Sequence, residues 1–140
     1  MSLKFEKVLP DDTQIEKLFS ILKNRRYSIS HKNMPLFNEH KNFVNNNPYL
    51  EWYLIYKNES VFGSVYINHD NSIGLNLIMD YFKKDIKEII QHIKNMHKPL
   101  TEKKSIRRGD FFINISPKNK KLIKILKEIN KNEIQRSFNI

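Results

Sequence analysis

Apolar positions recur along the chain with two spacings, every three to four residues in some stretches and every second residue in others. Leu3 and Phe5 alternate with Lys4 and Glu6, which predicts a first strand over residues 4–9 that stops at Pro10. Asp11, followed three residues on by Gln14, resembles a capping pair. Ile15, Leu18, Phe19 and Leu22 then make one apolar stripe of helical spacing. It ends near Asn24-Arg25-Arg26, where cations suit a helix C-terminus. Residues 27–36, with Pro35 inside, read as a loop, and residues 37–45 as a short helix carrying Phe43 and Val44.

After Pro48 the period changes. Trp52-Tyr53-Leu54-Ile55-Tyr56 is aromatic and rich in strand formers, residues 57–60 make a turn, and residues 61–68 resume the same character, so a hairpin is predicted. A second turn at residues 69–71 leads into a third strand over 72–79, whose near-continuous apolar content fits a strand covered on both faces. Ile86, Ile89, Ile90 and Ile93 restore the helical stripe and predict a helix over 81–96, ended by Pro99. Residues 111–116 read as a strand, 118–130 as a helix with Leu122, Ile125, Leu126 and Ile129 inward, and 134–140 as a last strand. The predicted order is β-α-α-β-β-β-α-β-α-β, an α/β (α+β) arrangement built on an antiparallel meander.

With 140 residues the chain is expected to be one domain, 1–140. A domain near this size buries roughly 68–70% of the surface its unfolded chain exposes, enough for a core without covalent staples. There is no cysteine, which excludes disulfides, thiolate metal sites and a cysteine nucleophile. No apolar run approaches a membrane span, and Met1 to Lys7 lack the apolar stretch of a signal peptide, so a cytoplasmic protein without a membrane partner is expected. The net charge of +10 raises nucleic acid as a partner. Against it, lysines outnumber arginines 20 to 5 while Lys, Asn and Ile dominate and alanine is absent, the imprint of AT-rich codons more than of phosphate recognition. His40 and the other four histidines show no HExxH or i, i+4 spacing, so no metal site is expected.

Several blocks, in this order, resemble one family. Trp52-Tyr53-Leu54-Ile55-Tyr56-Lys57-Asn58 precedes Val61-Phe62-Gly63-Ser64-Val65-Tyr66-Ile67 and then Ser72-Ile73-Gly74-Leu75-Asn76-Leu77-Ile78. Ile113-Asn114-Ile115-Ser116-Pro117-Lys118-Asn119 and Ile134-Gln135-Arg136-Ser137-Phe138-Asn139-Ile140 follow. Together, over nearly the whole chain, they resemble the GCN5-related N-acetyltransferases (GNATs). His40-Lys41-Asn42-Phe43-Val44 ahead of Tyr49-Leu50-Glu51-Trp52-Tyr53 is similar to small bacterial members, including nucleotide-sugar amine acetyltransferases.

The resemblance implies a mixed, mostly antiparallel sheet opening into a V between its fourth and fifth strands, and acetyl-CoA as acyl donor. It also implies a bulge in the fourth strand that frees a backbone N–H near Leu77, Ile78 or Met79. The family's glycine-rich diphosphate loop aligns with Tyr81-Phe82-Lys83-Lys84-Asp85-Ile86-Lys87, and Asn119 opens the next helix. Every glycine of that motif is missing here. Phosphates would then be held by Lys83, Lys84 and Lys87 as point charges, with Asp85 and Ile86 occupying loop positions where glycine would let backbone approach an anion. The family's tyrosine acid aligns near Leu126, and its following Gly-Phe with Asn130-Lys131, so both are lacking.

Acyl transfer to an amine needs a neutral amine, a donor polarising the carbonyl and a proton for the leaving thiolate. Asp80, His69 and His31 are the candidate bases, each with an ordinary alternative as helix cap, turn or loop residue. Tyr27, Tyr53, Tyr56, Tyr66 and Tyr81 are candidate acids, although strand aromatics mostly pack. Arg25, Arg26, Tyr27 and Tyr66 are the candidates for contact with an acceptor, Arg25-Arg26 being otherwise a helix-terminal pair. The expected function is acyl-CoA-dependent N-acyl transfer to a small-molecule amine, an amino sugar among the candidates. The alternative is a non-catalytic module of the same fold, and a homodimer stays open.

Overall fold

A computed structural model describes residues 2–25, 27 and 34–140. Strand β1 (Lys4–Lys7) leads into helix α1 (Asp12–Asn24) and helix α2 (Phe37–Asn45). The meander β2 (Glu51–Lys57), β3 (Ser60–Ile67) and β4 (Ser72–Leu77) follows, then α3 (Lys83–Met96), β5 (Phe112–Ile113) and α4 (Lys120–Glu128). The sheet order is β1-β2-β3-β4-β5, antiparallel throughout except for the parallel pair β4 and β5. The α+β class expected from the pattern, and the mixed sheet that the resemblance implies, are what the chain adopts.

The two periods dictate a three-layer packing. One sheet face meets Ile86, Ile89 and Ile93 of α3 and Leu122, Ile125 and Leu126 of α4. The other meets Ile15, Leu18 and Ile21 of α1 and Val44 of α2. Strand β2 lies between the layers, which is why its five central residues are apolar without alternation and all buried. The Asp11–Gln14 pair forms as the sequence suggests: Asp11 Oδ1 accepts from Gln14 N–H at 2.8 Å. The Gln14 side chain returns to β1, accepting from Leu9 N–H at 2.6 Å and donating to Lys7 O at 3.1 Å.

Turns are made without glycine. Asn58 and Glu59 both take positive φ (51° and 67°) at the β2–β3 hairpin, the conformation a two-residue turn requires. Asn71, also at positive φ (71°), is fully buried and fixes the return from α3 to β5. Its side chain donates to Leu100 O at 2.9 Å and Arg108 O at 2.7 Å and accepts from Leu100 N–H at 2.7 Å.

Three expectations are corrected. The strand expected over 72–79 ends at Leu77, and that over 111–116 shrinks to Phe112–Ile113, because β5 diverges after two pairs. The last strand over 134–140 does not form: Arg136 breaks the apolar alternation and pairs with Glu133 at 3.1 Å, leaving Ile134 and Phe138 exposed. Among the described residues no helix is long and apolar enough to cross a membrane.

Two predictions follow from this packing. A Cβ on Gly63 would stand 2.1 Å from Asn76 O and 2.9 Å from Leu77 Cα, backbone atoms that cannot step aside. Gly63→Ala should therefore cost about 1–3 kcal/mol in urea unfolding; a change within about 0.5 kcal/mol would contradict the close approach. Burial also lowers the pKa of His40, whose Nε2 lies 3.2 Å from Ile15 O, and of His92, which stacks on Phe5 at 3.8 Å with His97 nearby. Both histidines take up a proton less readily in the fold than in the unfolded chain, so the unfolded chain binds more protons as pH falls through its ordinary histidine value near 6.5. Stability is intact above that value and should decline below it. His92→Phe keeps the stack and should flatten the decline; an unchanged slope would show that His92 titrates normally.

Candidate functional site

Strand β4 is paired along its length on one side only. Against β3 the ladder runs regularly from Ile67–Ile73 to Gly63–Leu77, and Ile78 N–H adds a bond to Phe62 O at 3.0 Å. Against β5 it holds only Ser72–Phe112 and Ile73–Ile113, with Phe112 N–H donating to Asn71 O and Asn114 N–H to Ile73 O. Backbone groups alternate sides along a strand, so those of Asn71 and Ile73 face β5 while that of Ile78 faces β3. The odd-numbered Leu75 and Leu77 accordingly turn their amides toward the space β5 has left.

That space is a cavity of about 80 Å³. Leu75, Asn76 and Leu77 line it from β4, and Asn119, Lys121 and Leu122 from the start of α4. Tyr81 comes from the β4–α3 turn, and Arg25 and Tyr27 from the segment after α1. The V between fourth and fifth strands is thus present, but not by the expected device. The β3–β4 register is unbroken, and the sheet's irregularity lies between β2 and β3, at Ile55 and Tyr56. Of Leu77, Ile78 and Met79, only Leu77 presents its amide to the gap. Ile78 N–H is bonded to Phe62, and Met79 lies beyond the strand, partly exposed.

Helix α3 begins beside this cavity with Phe82 as its N-cap. Asp85 is only 1% exposed; its carboxylate accepts from Phe82 N–H at 2.8 Å and pairs with Lys57 Nζ at 3.0 Å. The amides of Asp85 and Ile86 both return to Phe82 O, and Ile86 is core. Asp85 and Ile86 therefore face inward, away from any ligand at the helix end. A negative charge at a helix start is favourable, and this one supplies the cap that a glycine loop would not. The helix-start amides left facing outward are those of Lys83 and Lys84, whose side chains are exposed, as is that of Lys87 one turn later.

Contacts link the β4–α3 turn and the start of α3 to α4. Tyr81 Oη donates to Asn119 Oδ1 at 3.3 Å, and Asn119 also caps α4 by accepting from Leu122 N–H at 3.3 Å. Asp80 pairs with Lys121, whose ammonium lies 4.4 Å over the Tyr81 ring. Lys83 pairs with Glu128 at 2.6 Å. Asp80 is thus a bridge to α4 beside the cavity; the cap of α3 is Phe82 with Asp85.

On the α1 side, Tyr66 stacks on Tyr49 with ring centroids 3.9 Å apart and planes within 8°. Gly74 makes room for Tyr66, since a Cβ there would stand 1.9 Å from the phenol ring. Burial raises the pKa of both phenols, and the charge of Arg25 opposes the rise at Tyr66. Arg25 and Tyr27 line the gap, whereas Tyr66, near enough to feel the charge of Arg25, is not part of its lining. Nor is His69: it stands in the turn before β4, and Ser72 to Leu77 is roughly 17 Å of strand. His31 and Arg26 lie outside the described residues. Among the described residues no group of three His, Asp or Glu is placed to hold a metal.

Sequence reasoning passed over Asn76, Tyr49, Lys121 and Glu128. Asn76 had a visible signal, a lone amide in an apolar strand; Glu128 had none, because its meaning depends on which helix lies opposite.

No protein-family profile matches the chain, and no curated protein matches it in sequence. Its structure does have matches, and the fold they define is that of the GCN5-related N-acetyltransferases. The Campylobacter jejuni N-acetyltransferase PseH, solved with acetyl coenzyme A, aligns over 96% of this chain and 92% of its own, with a TM-score of 0.61 and 14% identity. The aminoglycoside N-acetyltransferase AAC(6')-Iy, solved with CoA, covers 99% of this chain and 93% of its own, at a TM-score of 0.61 and 14% identity. The Vibrio cholerae integron cassette protein VCH_CASS6 covers 100% and 93%, at 0.64 and 14%.

The buried Lys57–Asp85 pair is expected to hold the start of α3 in place. Asp85→Ala should cost about 3–5 kcal/mol, because it strands a buried ammonium as well as the cap. A loss below about 1 kcal/mol in urea unfolding would contradict that role.

Proposed function

We propose that the chain is an acyl-CoA-dependent N-acyltransferase acting on a small-molecule amine, with an amino sugar as the class favoured by the sequence around residues 40–53. The observation that carries this reading is the parting of β4 from β5, which turns the Leu77 amide into a small cavity. Its fold neighbours PseH and AAC(6')-Iy, solved with acetyl coenzyme A and CoA, support the same reading.

The residues present fit acetyl-CoA as acyl donor. Lys83 and Lys84 offer ammonium groups and outward amides at the start of α3, and Lys121 adds a cation at the cavity wall. No carboxylate lines the cavity among the described residues. A space of about 80 Å³ takes a group of acetyl size, the volume of two to three waters at roughly 30 Å³ each. When bound, acetyl-CoA supplies an activated acyl group.

The chain's own groups then divide the work. The Leu77 N–H is a fixed donor aimed at the gap, suited to polarise a carbonyl without reorganising. Asn76 and Arg25 line the side open to an acceptor. Tyr81 is tied to Asn119, so the Tyr27 hydroxyl is the phenol offered for protonating a leaving thiolate. No histidine or carboxylate lines the cavity among the described residues, so the amine arrives neutral from solution. The pH profile of kcat/KM should therefore climb with the pKa of the amine itself. A plateau set by a group titrating far below the amine would contradict this and return the base to Asp80 or His31.

Calorimetry with acetyl-CoA over a salt series tests the reading. Lysine-held phosphates predict loose binding that fades as the Debye length falls from about 10 Å at 0.1 M to about 3 Å at 1 M. Lys83→Ala with Lys84→Ala should weaken it by about 1 kcal/mol per lost contact. No binding at low salt would favour the non-catalytic module, and tight, salt-insensitive binding would put the phosphates on backbone amides instead.

A further inference from the structure

The walls of the β4–β5 cavity are neutral or positive. Among the described residues that line it, Arg25 and Lys121 are cations, Asn76, Asn119, Tyr27 and Tyr81 are neutral polar groups, and there is no Asp or Glu. The chain that leaves α1 has no acid to add: from Lys17 to Asn38 the sequence contains neither Asp nor Glu. Asp80 pairs with Lys121 from outside the lining and offsets it, so the positive character of the cavity lies on the α1 side, at Arg25. Arg25 is half-buried, and it closes α1 through its backbone N–H, which donates to Leu22 O at 3.5 Å, so its side chain is not spent on the cap. The charge of Arg25 is felt at the Tyr66 phenol, which places the guanidinium close to the sheet. A guanidinium offers a planar fork of donors that matches a phosphate or a carboxylate. An amine of several positive charges would need carboxylates, which these walls do not provide.

We infer that the acceptor is an amino sugar that itself carries an oxyanion, a phosphate or a carboxylate, held by Arg25 on the α1 side of the cavity, and that amines of several positive charges are refused. This rests on the proposed transferase reading and narrows its acceptor class. The selection works through one charge in two ways. Arg25 attracts the oxyanion, and a cation beside the bound amine favours the amine's neutral form, the one that can attack a carbonyl. A site without a base thus gains from a cationic wall, whereas a carboxylate wall would hold the amine as an unreactive ammonium.

The test is calorimetric titration of the full chain with glucosamine 6-phosphate, muramic acid, glucosamine and kanamycin, alone and with CoA present, at about 0.15 M salt, where generic attraction by surface lysines is largely screened. The first two carry an oxyanion, the third carries none, and the fourth carries several ammonium groups. Glucosamine 6-phosphate or muramic acid should bind roughly tenfold more tightly than glucosamine, the scale of one charge-assisted pair, with kanamycin weakest. Either one leading sustains the inference and identifies the oxyanion. Arg25→Gln should erase the gap, and Arg25→Glu should invert the order of glucosamine 6-phosphate and kanamycin; a merely structural Arg25 would weaken all four alike. Arg136→Gln, which removes a cation from the exposed tail, should leave the gap as in the parent. A gap that survives Arg25→Gln, kanamycin binding tightest, or no sugar bound by the parent overturns the inference. The gap with no acetylated product from acetyl-CoA sustains the oxyanion site and overturns the transferase reading. Product formed from all four amines without preference overturns the inference alone.

Discussion

One constraint organises the molecule: β4 must satisfy its backbone on the β3 side along its whole length while losing its β5 partner after two residues. A sheet interior does not ordinarily leave backbone amides facing a void, because an unpaired buried amide costs free energy comparable to a lost hydrogen bond. Here the opening is confined to Leu75 and Leu77, beside the starts of α3 and α4. The surrounding structure is arranged to keep it there. Asn71, buried with its side chain spent on Leu100 and Arg108, pins the incoming end of β5 so that pairing begins at Ser72 and cannot slide.

The start of α3 is the second fixed point. Where a glycine-rich turn would let a ligand collect helix-start amides, this chain has the buried Asp85, capped against Phe82 and neutralised by Lys57 from β2. The helix gains an internal anion and loses part of its capacity to bind an external one. The lysines at the same helix start present side-chain charges instead of amides, and such charges reach farther but are more easily screened.

Much of this architecture was legible in the sequence because it rests on periodicity. The stripes Ile15-Leu18 and Ile86-Ile89-Ile93 and the aromatic run of β2 fit a sheet covered on both faces, and that is where they pack. What could not be read depends on termination and on pairs distant in sequence. The alternation near Ile134 and Phe138 looked like a strand, but Arg136 interrupts it and only a partner edge could have decided the matter. Asp85 looked like part of a ligand loop because its burial depends on Lys57, twenty-eight residues away. Asp80 reads from the sequence as a cap or a base, and only the placement of α4 reveals that Lys121 lies beside it. Of the residues singled out for an acceptor, Arg25 and Tyr27 line the gap and Tyr66 does not, whereas His69 stands at the far end of the strand.

The central claim is that the opening between β4 and β5 is where an acyl-CoA is received. Amide-resolved NMR with acetyl-CoA titrated at low salt tests it most directly. The account predicts the largest shifts at Leu75, Leu77, Lys83, Lys84 and Asn119, with the amide of Ile78, bonded to Phe62, among the least perturbed of its neighbours. Shifts confined to exposed lysines elsewhere, or centred on the His69 turn, would contradict it.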